Sequence, residues 1–258
     1  MTVVVAFVGA DGAVMASDSE GTESGHTRLD VEKCWPCGGL MVGLSGATSV
    51  RQPLEAVLER RVQAQFGGAA EVDRWEAREL IRRVMGEELK RSYGGFVASR
   101  QGETPQLVLG SALIVVGRDS HGYWLLEVDH NASATFYTDH SFHTVGSGSA
   151  AAYLAHGLMK HYGPRGRTLE HVKLVAYRTV DTCINVTGGA LGVGGYVQLY
   201  ASKDDGPFER ADREETEILA DGLDKWTLME RESLDKVVLG EEMESSVEEE
   251  LPGPIEEG

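Results

Sequence analysis

Cysteine is scarce in this sequence. Three residues, Cys34, Cys37 and Cys183, stand in a chain of 258. So few thiols, in odd number, exclude a disulfide scaffold and fit a reducing compartment, so a cytoplasmic location is expected. Cys34 and Cys37 form a C-x-x-C, but zinc needs a second pair and only Cys183 remains. Gly38 to Leu44 reads as a turn and a strand. It lacks the helix start that would activate a redox thiol, so the motif is expected to be a turn between strands. No run of ~18 apolar residues occurs, which excludes a membrane-spanning helix. The start, Met1-Thr2-Val3-Val4-Val5-Ala6-Phe7, has no basic segment and meets Asp11-Gly12 too early for a secretion signal. The sequons at Asn131 and Asn185 are therefore expected to be unused. Positive charge is also in short supply, with 24 Lys and Arg against 41 Asp and Glu. The net charge of −17 argues against nucleic acid as a main partner. There is no G-x-S-x-G, H-E-x-x-H, Walker A loop or G-x-G-x-x-G. Gly43-Leu44-Ser45-Gly46-Ala47 lacks the last glycine of a nucleophile elbow. His140 and His143 read as a solvated pair. No metal and no cofactor is expected.

What is present is unevenly distributed. Residues 204–258 hold 20 acidic and 5 basic side chains, whereas residues 1–203 are nearly neutral. Residues 241–258 contain 8 Glu, no Lys or Arg, and Pro252 and Pro254. Such a segment repels itself and has little to bury, so disorder is expected there. Residues 204–240 read as an acidic extension with some helix or strand, and residues 1–203 as the folded body. The 32 glycines suggest many tight turns.

In the body, Val3 to Val8 and Ala13 to Ser17 read as a hairpin of buried strands around Asp11-Gly12. Thr27 to Lys33 alternates as a strand, and Leu40 to Leu44 is another apolar run. Leu54, Val57, Leu58 and Val62 recur at helical spacing, and a second helix is expected over residues 70–90, followed by a loop over 93–108. Strands return at residues 112–117, 122–128 and 134–137. Helices are expected over 150–161 and 169–186, with Gly188 and Gly189 as C-cap. A last strand is expected over 196–201. Strands, two helices, strands, two helices and a strand do not make a strict βαβ alternation. The order fits an α+β fold in which two packed antiparallel sheets are flanked by helix pairs.

The chemistry centres on Thr2. Methionine before a small residue is commonly trimmed, which would make Thr2 the first residue. An N-terminal threonine carries its own base: the hydroxyl attacks a carbonyl, and the α-amine takes the proton directly or through a water. That amine has a pKa of about 8, and a nearby ammonium would lower it further. Asp18 and Lys33 stand at the ends of expected strands, where a lysine could tune the amine and an aspartate could hold the lysine.

Thr2 to Phe7, Asp11 to Ser19, Lys33, Gly43-Leu44-Ser45-Gly46 and Val145-Gly146-Ser147-Gly148-Ser149 fall in one order and near one spacing. Together they resemble the proteasome β-subunit family, including the HslV-type peptidases, over about residues 2–200. The resemblance implies a four-layer αββα sandwich, the fold of N-terminal nucleophile (Ntn) hydrolases, for residues 1–203. It implies Thr2 as nucleophile and base, and Asp18 and Lys33 as the charge pair beside it. The Gly46 N–H is implied as oxyanion donor, and Ser147 as the hydroxyl that helps relay the amine's proton. It also implies a threonine-type endopeptidase acting on peptides or unfolded protein inside a homo-oligomeric ring, with an ATP-dependent unfoldase as partner by analogy.

The sequence departs from that pattern at three points. Glu20 stands where the family usually has arginine. Lys33 falls one residue early. The family's second Asp and Ser have no clean match, with Asp181, Asn185 and Thr187 as candidates. These departures keep two other readings open: an inactive ring-forming structural or binding subunit, and an amidase acting on small amides.

Overall fold

The computed structural model describes residues 2–23, 26–28, 30–46, 48–99, 110–137, 141–159, 167–187, 192–204 and 206–239. The β-branched N-terminal run forms β1 (Val4–Val8) and pairs antiparallel with β2 (Gly12–Asp18). At their turn, the Gly9 N–H donates to the Gly12 carbonyl at 2.8 Å. Every residue of β2 is buried, as expected of a strand covered on both faces. A short antiparallel ribbon follows, β3 (Gly21–Glu23) with β4 (His26–Arg28). Next come β5 (Cys34–Cys37), β6 (Leu40–Ser45), α1 (Thr48–Phe66) and α2 (Arg74–Ser99). The middle of the chain forms β7 (Ala112–Asp119), β8 (Gly122–Val128), β9 (Ala134–Phe136) and β10 (Phe142–Val145). It ends with α3 (Ser149–Met159), α4 (Leu169–Thr187), β11 (Val197–Lys203), β12 (Glu209–Arg210) and α5 (Arg213–Leu239).

Two five-stranded antiparallel sheets result, one in the order β10-β1-β2-β11-β12 and the other β5-β6-β7-β8-β9. The period of two sorts their side chains into layers. Val4, Ala6, Met15, Ile114, Val116 and Leu125 meet between the sheets. Leu113, Val115 and Leu126 point the other way, against Leu54, Leu58 and Val62 of α1 and Ile81, Val84 and Met85 of α2. On the far side α3 and α4 cover the first sheet. The buried positions of α4 include Val172, Val175, Ala176, Thr179 and Cys183, at helical spacing. The architecture is the expected αββα sandwich. The sheets pack tightly at Gly43, where a Cβ would lie 2.7 Å from Val4 Cγ1 and 2.8 Å from the Met15 sulfur.

Polar side chains fix the element ends. The Asp73 carboxylate accepts from the N–H groups of Trp75 and Glu76 at the start of α2. Asp11, in the β1–β2 turn, accepts from the Leu169 N–H at 2.6 Å and so begins α4. Arg74 grips Asp119 with two bonds, tying α2 to the end of β7.

Several local expectations are corrected. Cys34-Trp35-Pro36-Cys37 is a strand, with the turn after it. Residues three apart in a strand face opposite ways, so Cys34 enters the core between the sheets and Cys37 the core under α1 and α2. All three cysteines are free and buried. Burial pushes the Cys34 and Cys37 thiols up to about 12 and the Cys183 thiol up to about 11. The strand expected from Thr27 to Lys33 is interrupted. Asp30 sits at φ 68°, and its carboxylate accepts from the Tyr196 hydroxyl and the Gln198 amide. Helix α2 continues to Ser99, past the expected loop start, because an established ladder tolerates Gly94 and Gly95. The remaining expected loop positions, the C-cap at Gly188 and Gly189, and residues 241–258 lie outside the described residues. No helix among the described residues is long and apolar enough to cross a membrane.

His143 is not solvated. It is buried on β10, with Nε2 2.7 Å from Glu127 Oε2 and Nδ1 2.7 Å from the Tyr153 hydroxyl. The Tyr137 ring stacks on it at 3.6 Å. His140 lies outside the described residues. This cluster joins the edge of one sheet to the other sheet and to α3.

By contact the chain divides into Met1–Leu219 and Ala220–Gly258. In the second unit the described residues form most of α5, with Leu228, Met229, Leu234, Val237, Val238 and Leu239 exposed.

The His143 bond holds the Glu127 carboxyl below the usual range. A carboxyl depressed in the folded state contributes stability above its unfolded pKa and loses it as pH falls through the folded value. Glu127→Gln is expected to destabilise the protein by about 1–3 kcal/mol at pH 7. The difference from wild type should shrink below about pH 4.3, as read from urea unfolding at both pH values.

Candidate active site

Strand register gathers the predicted site residues at one end of the sandwich. Thr2 lies two residues before the start of β1, and Asp18 ends β2. Val4 pairs with both Ser17 and Val145, which brings the turn after β10 alongside the start of the chain. Asp18 pairs with Val197, which brings in the loop before β11. Lys33 precedes β5, and its carbonyl accepts from the Leu44 N–H at 2.9 Å, next to the end of β6.

Asp18 and Lys33 are the electrostatic centre. Asp18 is fully buried and Lys33 is 4% exposed. Lys33 Nζ donates to Asp18 Oδ1 at 2.6 Å. The Val3 N–H donates to the same oxygen at 2.9 Å, and the Gly194 N–H donates to Oδ2 at 3.1 Å. Three donors from separate segments of the chain thus satisfy one buried carboxylate. Burial lowers the lysine's pKa, and the neighbouring Asp18 works against that fall.

Thr2 is itself 6% exposed. Its backbone nitrogen donates to Ser147 Oγ at 3.1 Å. Its carbonyl accepts from the Gly148 N–H at 3.1 Å and from the Ser147 hydroxyl at 3.4 Å. Gly146 makes this approach possible: it sits at φ 112°, and a Cβ there would strike the Thr2 carbonyl. Ser149 secures the same turn by donating to the Gly146 carbonyl at 2.6 Å. Gly46, at φ 137°, follows β6 and is exposed, with its Cα packed against Ser111. Thr2, Asp18, Lys33 and Ser147 are thus brought together through direct bonds and through Val3. Gly46 lies at the end of β6, whose register places it at the same end of the molecule.

The candidates for a second Asp and Ser lie along the C-terminal half of α4, and Thr187 also donates to the Val193 carbonyl at 3.5 Å, one residue before Gly194. Asn185 donates to Asp181 at 2.8 Å along α4. Thr187 donates to the Cys183 carbonyl at 2.8 Å, within its own helix. Two contributors were not foreseen in the sequence, the Val3 and Gly194 N–H groups that hold Asp18. The glycine-rich run before β11 was the available signal for the second. Main-chain donors leave no residue-type signature, so nothing marked the first. Among the described residues, no group of three or more His, Cys, Asp or Glu is arranged to hold a metal ion.

No family model matches the chain, and no curated protein matches it in sequence. Among solved structures it is similar to Anbu, a Gly-1 mutant from Hyphomicrobium sp. strain MC1, with a TM-score of 0.65 and 16% identity. That likeness covers 92% of this chain and 97% of the other. At this identity the likeness shows the fold alone, the αββα sandwich described above. The resemblance to the proteasome β-subunit and HslV-type family is thereby corrected. Anbu is a structural neighbour, and no family model supports the narrower assignment.

The Asp18–Lys33 pair yields a stability test. Removing one partner of a buried pair strands the other charge. Asp18→Asn should therefore destabilise the protein by about 3–5 kcal/mol, measured by urea unfolding. The double variant Asp18→Asn, Lys33→Met should recover a substantial part of that loss.

Proposed function

We propose that the chain is a threonine-type peptidase whose nucleophile and base are both on Thr2, exposed as the first residue once Met1 is removed. One observation carries the reading: the Thr2 nitrogen lies within hydrogen-bond distance of Ser147 Oγ, while its neighbour Val3 bonds the carboxylate that holds buried Lys33. In the proposed reaction, the Thr2 hydroxyl attacks the scissile carbonyl carbon and its proton passes to the α-amine. The oxyanion is met by the Gly46 N–H. Collapse breaks the C–N bond, the amine's proton goes to the leaving nitrogen, and an ester on Thr2 remains. Water then hydrolyses that ester by the same base. The Lys33 ammonium favours the free amine, Asp18 holds the lysine in place, and Ser147 passes protons to and from the nitrogen.

Self-association into a ring-shaped compartment is part of this proposal. It is supported by α3, which has no Asp, Glu, Lys or Arg and leaves Tyr153, Leu154 and Leu158 exposed. Peptides or unfolded protein would be the substrates, and an ATP-dependent unfoldase the partner that such a compartment requires. Glu20 favours a second reading, a catalytically silent subunit of the same assembly, because it adds negative charge beside the site. A small-amide hydrolase would use the same nucleophile.

The intact mass of purified protein should lack Met1. Unfolded-protein and peptide cleavage should fall by about 10³-fold or more in Thr2→Ala. Cleavage that persists in Thr2→Ala removes the proposed mechanism. A trimmed wild type that cleaves nothing supports the silent subunit, and one that cleaves only small amides supports the amidase.

A further inference from the structure

Glu20 lies two residues beyond Asp18, where β2 has ended and the chain turns toward β3. Its N–H donates to the Gly194 carbonyl at 3.0 Å. Its carboxylate leans on the Cα of the same glycine, so closely that a Cβ there would collide with Oε2. The Gly194 N–H in turn donates to Asp18 Oδ2 at 3.1 Å. One glycine therefore holds two carboxylates, Asp18 on its amide and Glu20 on its Cα face. The absence of a side chain at 194 leaves room for the Glu20 carboxylate beside the residue whose amide bonds Asp18. The charge of Glu20 reaches Lys33: burial lowers that lysine's pKa, and Asp18, Cys34 and Glu20 all act in the opposite direction.

Charged and polar groups come to this end of the sandwich from several segments. Strand β2 and its extension contribute Asp18 and Glu20. The segment before β5 contributes Lys33, and also Glu32, whose carboxylate accepts from Arg210 at 2.6 Å. The turn from β10 to α3 offers Ser147 and Ser149, which carry no charge. The loop before β11 offers Gly194 and Gly195, followed by Tyr196, which donates to Asp30. The end of β6 offers Ser45 and Gly46. Lys33 pairs with Asp18 and Arg210 with Glu32, and of the remaining carboxylates, Asp30 and Glu20, it is Glu20 whose charge acts on Lys33.

We infer that Glu20 is the residue that sets the working pH of the Thr2 amine, by stabilising its ammonium form and so raising the pH at which it becomes a free base. A carboxylate near an amine favours the charged state, and neutralising the carboxylate releases the proton more readily. This inference rests on the proposed role of Thr2. It adds a positioned charge that opposes Lys33: the lysine pushes the amine toward the free base, and Glu20 holds it back.

The test uses the full chain beginning at Thr2, obtained by cleaving a fusion that leaves threonine as the first residue. The α-amine is reductively methylated with ¹³C-formaldehyde, and its titration is followed by NMR. In Glu20→Gln, which preserves the side chain's shape, the amine's midpoint should fall by about 0.5–1 pH unit. The control is Glu71→Gln, an exposed carboxylate near Arg118 with Oε1 3.8 Å from the guanidinium, which should leave the midpoint unchanged. An unchanged midpoint in Glu20→Gln, or an equal fall in both variants, overturns the inference. Peptide cleavage by the same unmethylated proteins separates the two proposals. An inactive protein with a shifted amine removes the peptidase reading alone, and an active one with an unshifted amine removes only the role of Glu20.

Discussion

A single buried ion pair organises one end of this molecule. Asp18 and Lys33 are both withdrawn from water, and neither charge is tolerable there without the other. Their contact also fixes geometry. Asp18 accepts from the amide that follows Thr2 and from the amide of Gly194, so one carboxylate joins the first strand, the lysine segment and the loop before β11. The strands deliver these groups because β1 is an interior strand, flanked by β2 and β10. The beginning of the chain is thereby held between two neighbours.

The rest of the fold supports that arrangement. Two sheets packed together, with Gly43 at a tight contact between them, form the central core, and a helix pair covers each outer face. Side-chain bonds such as Arg74 to Asp119 and the contacts of His143 with Glu127 and Tyr153 tie helices and sheets to one another. Rigid strands position side chains more accurately than free loops do, which suits chemistry that depends on distances of about 3 Å.

Much of this was legible in the sequence, for identifiable reasons. Short apolar runs bounded by turn residues marked β1, β2, β6, β7 and β8, and the helical spacing of Leu54, Leu58 and Val62 marked α1. Asp18, Lys33 and Ser147 stood out by residue type and order, and strand register brings them near Thr2. Other features escaped because they depend on partners distant in the chain. His143 looks solvated in sequence, since Glu127 and Tyr153 become its neighbours only through folding. The Cys34–Cys37 segment has the glycines of a turn after it, and only pairing with β6 makes it a strand. Asp30 breaks an alternating run through its own backbone angle and through Tyr196, far along the chain. The narrower family assignment failed for a different reason. Short motifs in a common order are shared across a fold, whereas family membership needs similarity along the whole chain.

The distribution of the thiols has a practical side. Cys34, Cys37 and Cys183 are all buried, and their protons are held well above the usual cysteine range. Alkylating reagents require an accessible thiolate, so the native protein is close to silent toward maleimides. One cysteine introduced at an exposed position such as Glu87 on α2 would carry a fluorophore or spin label alone, with no need to strip the natural cysteines from the core.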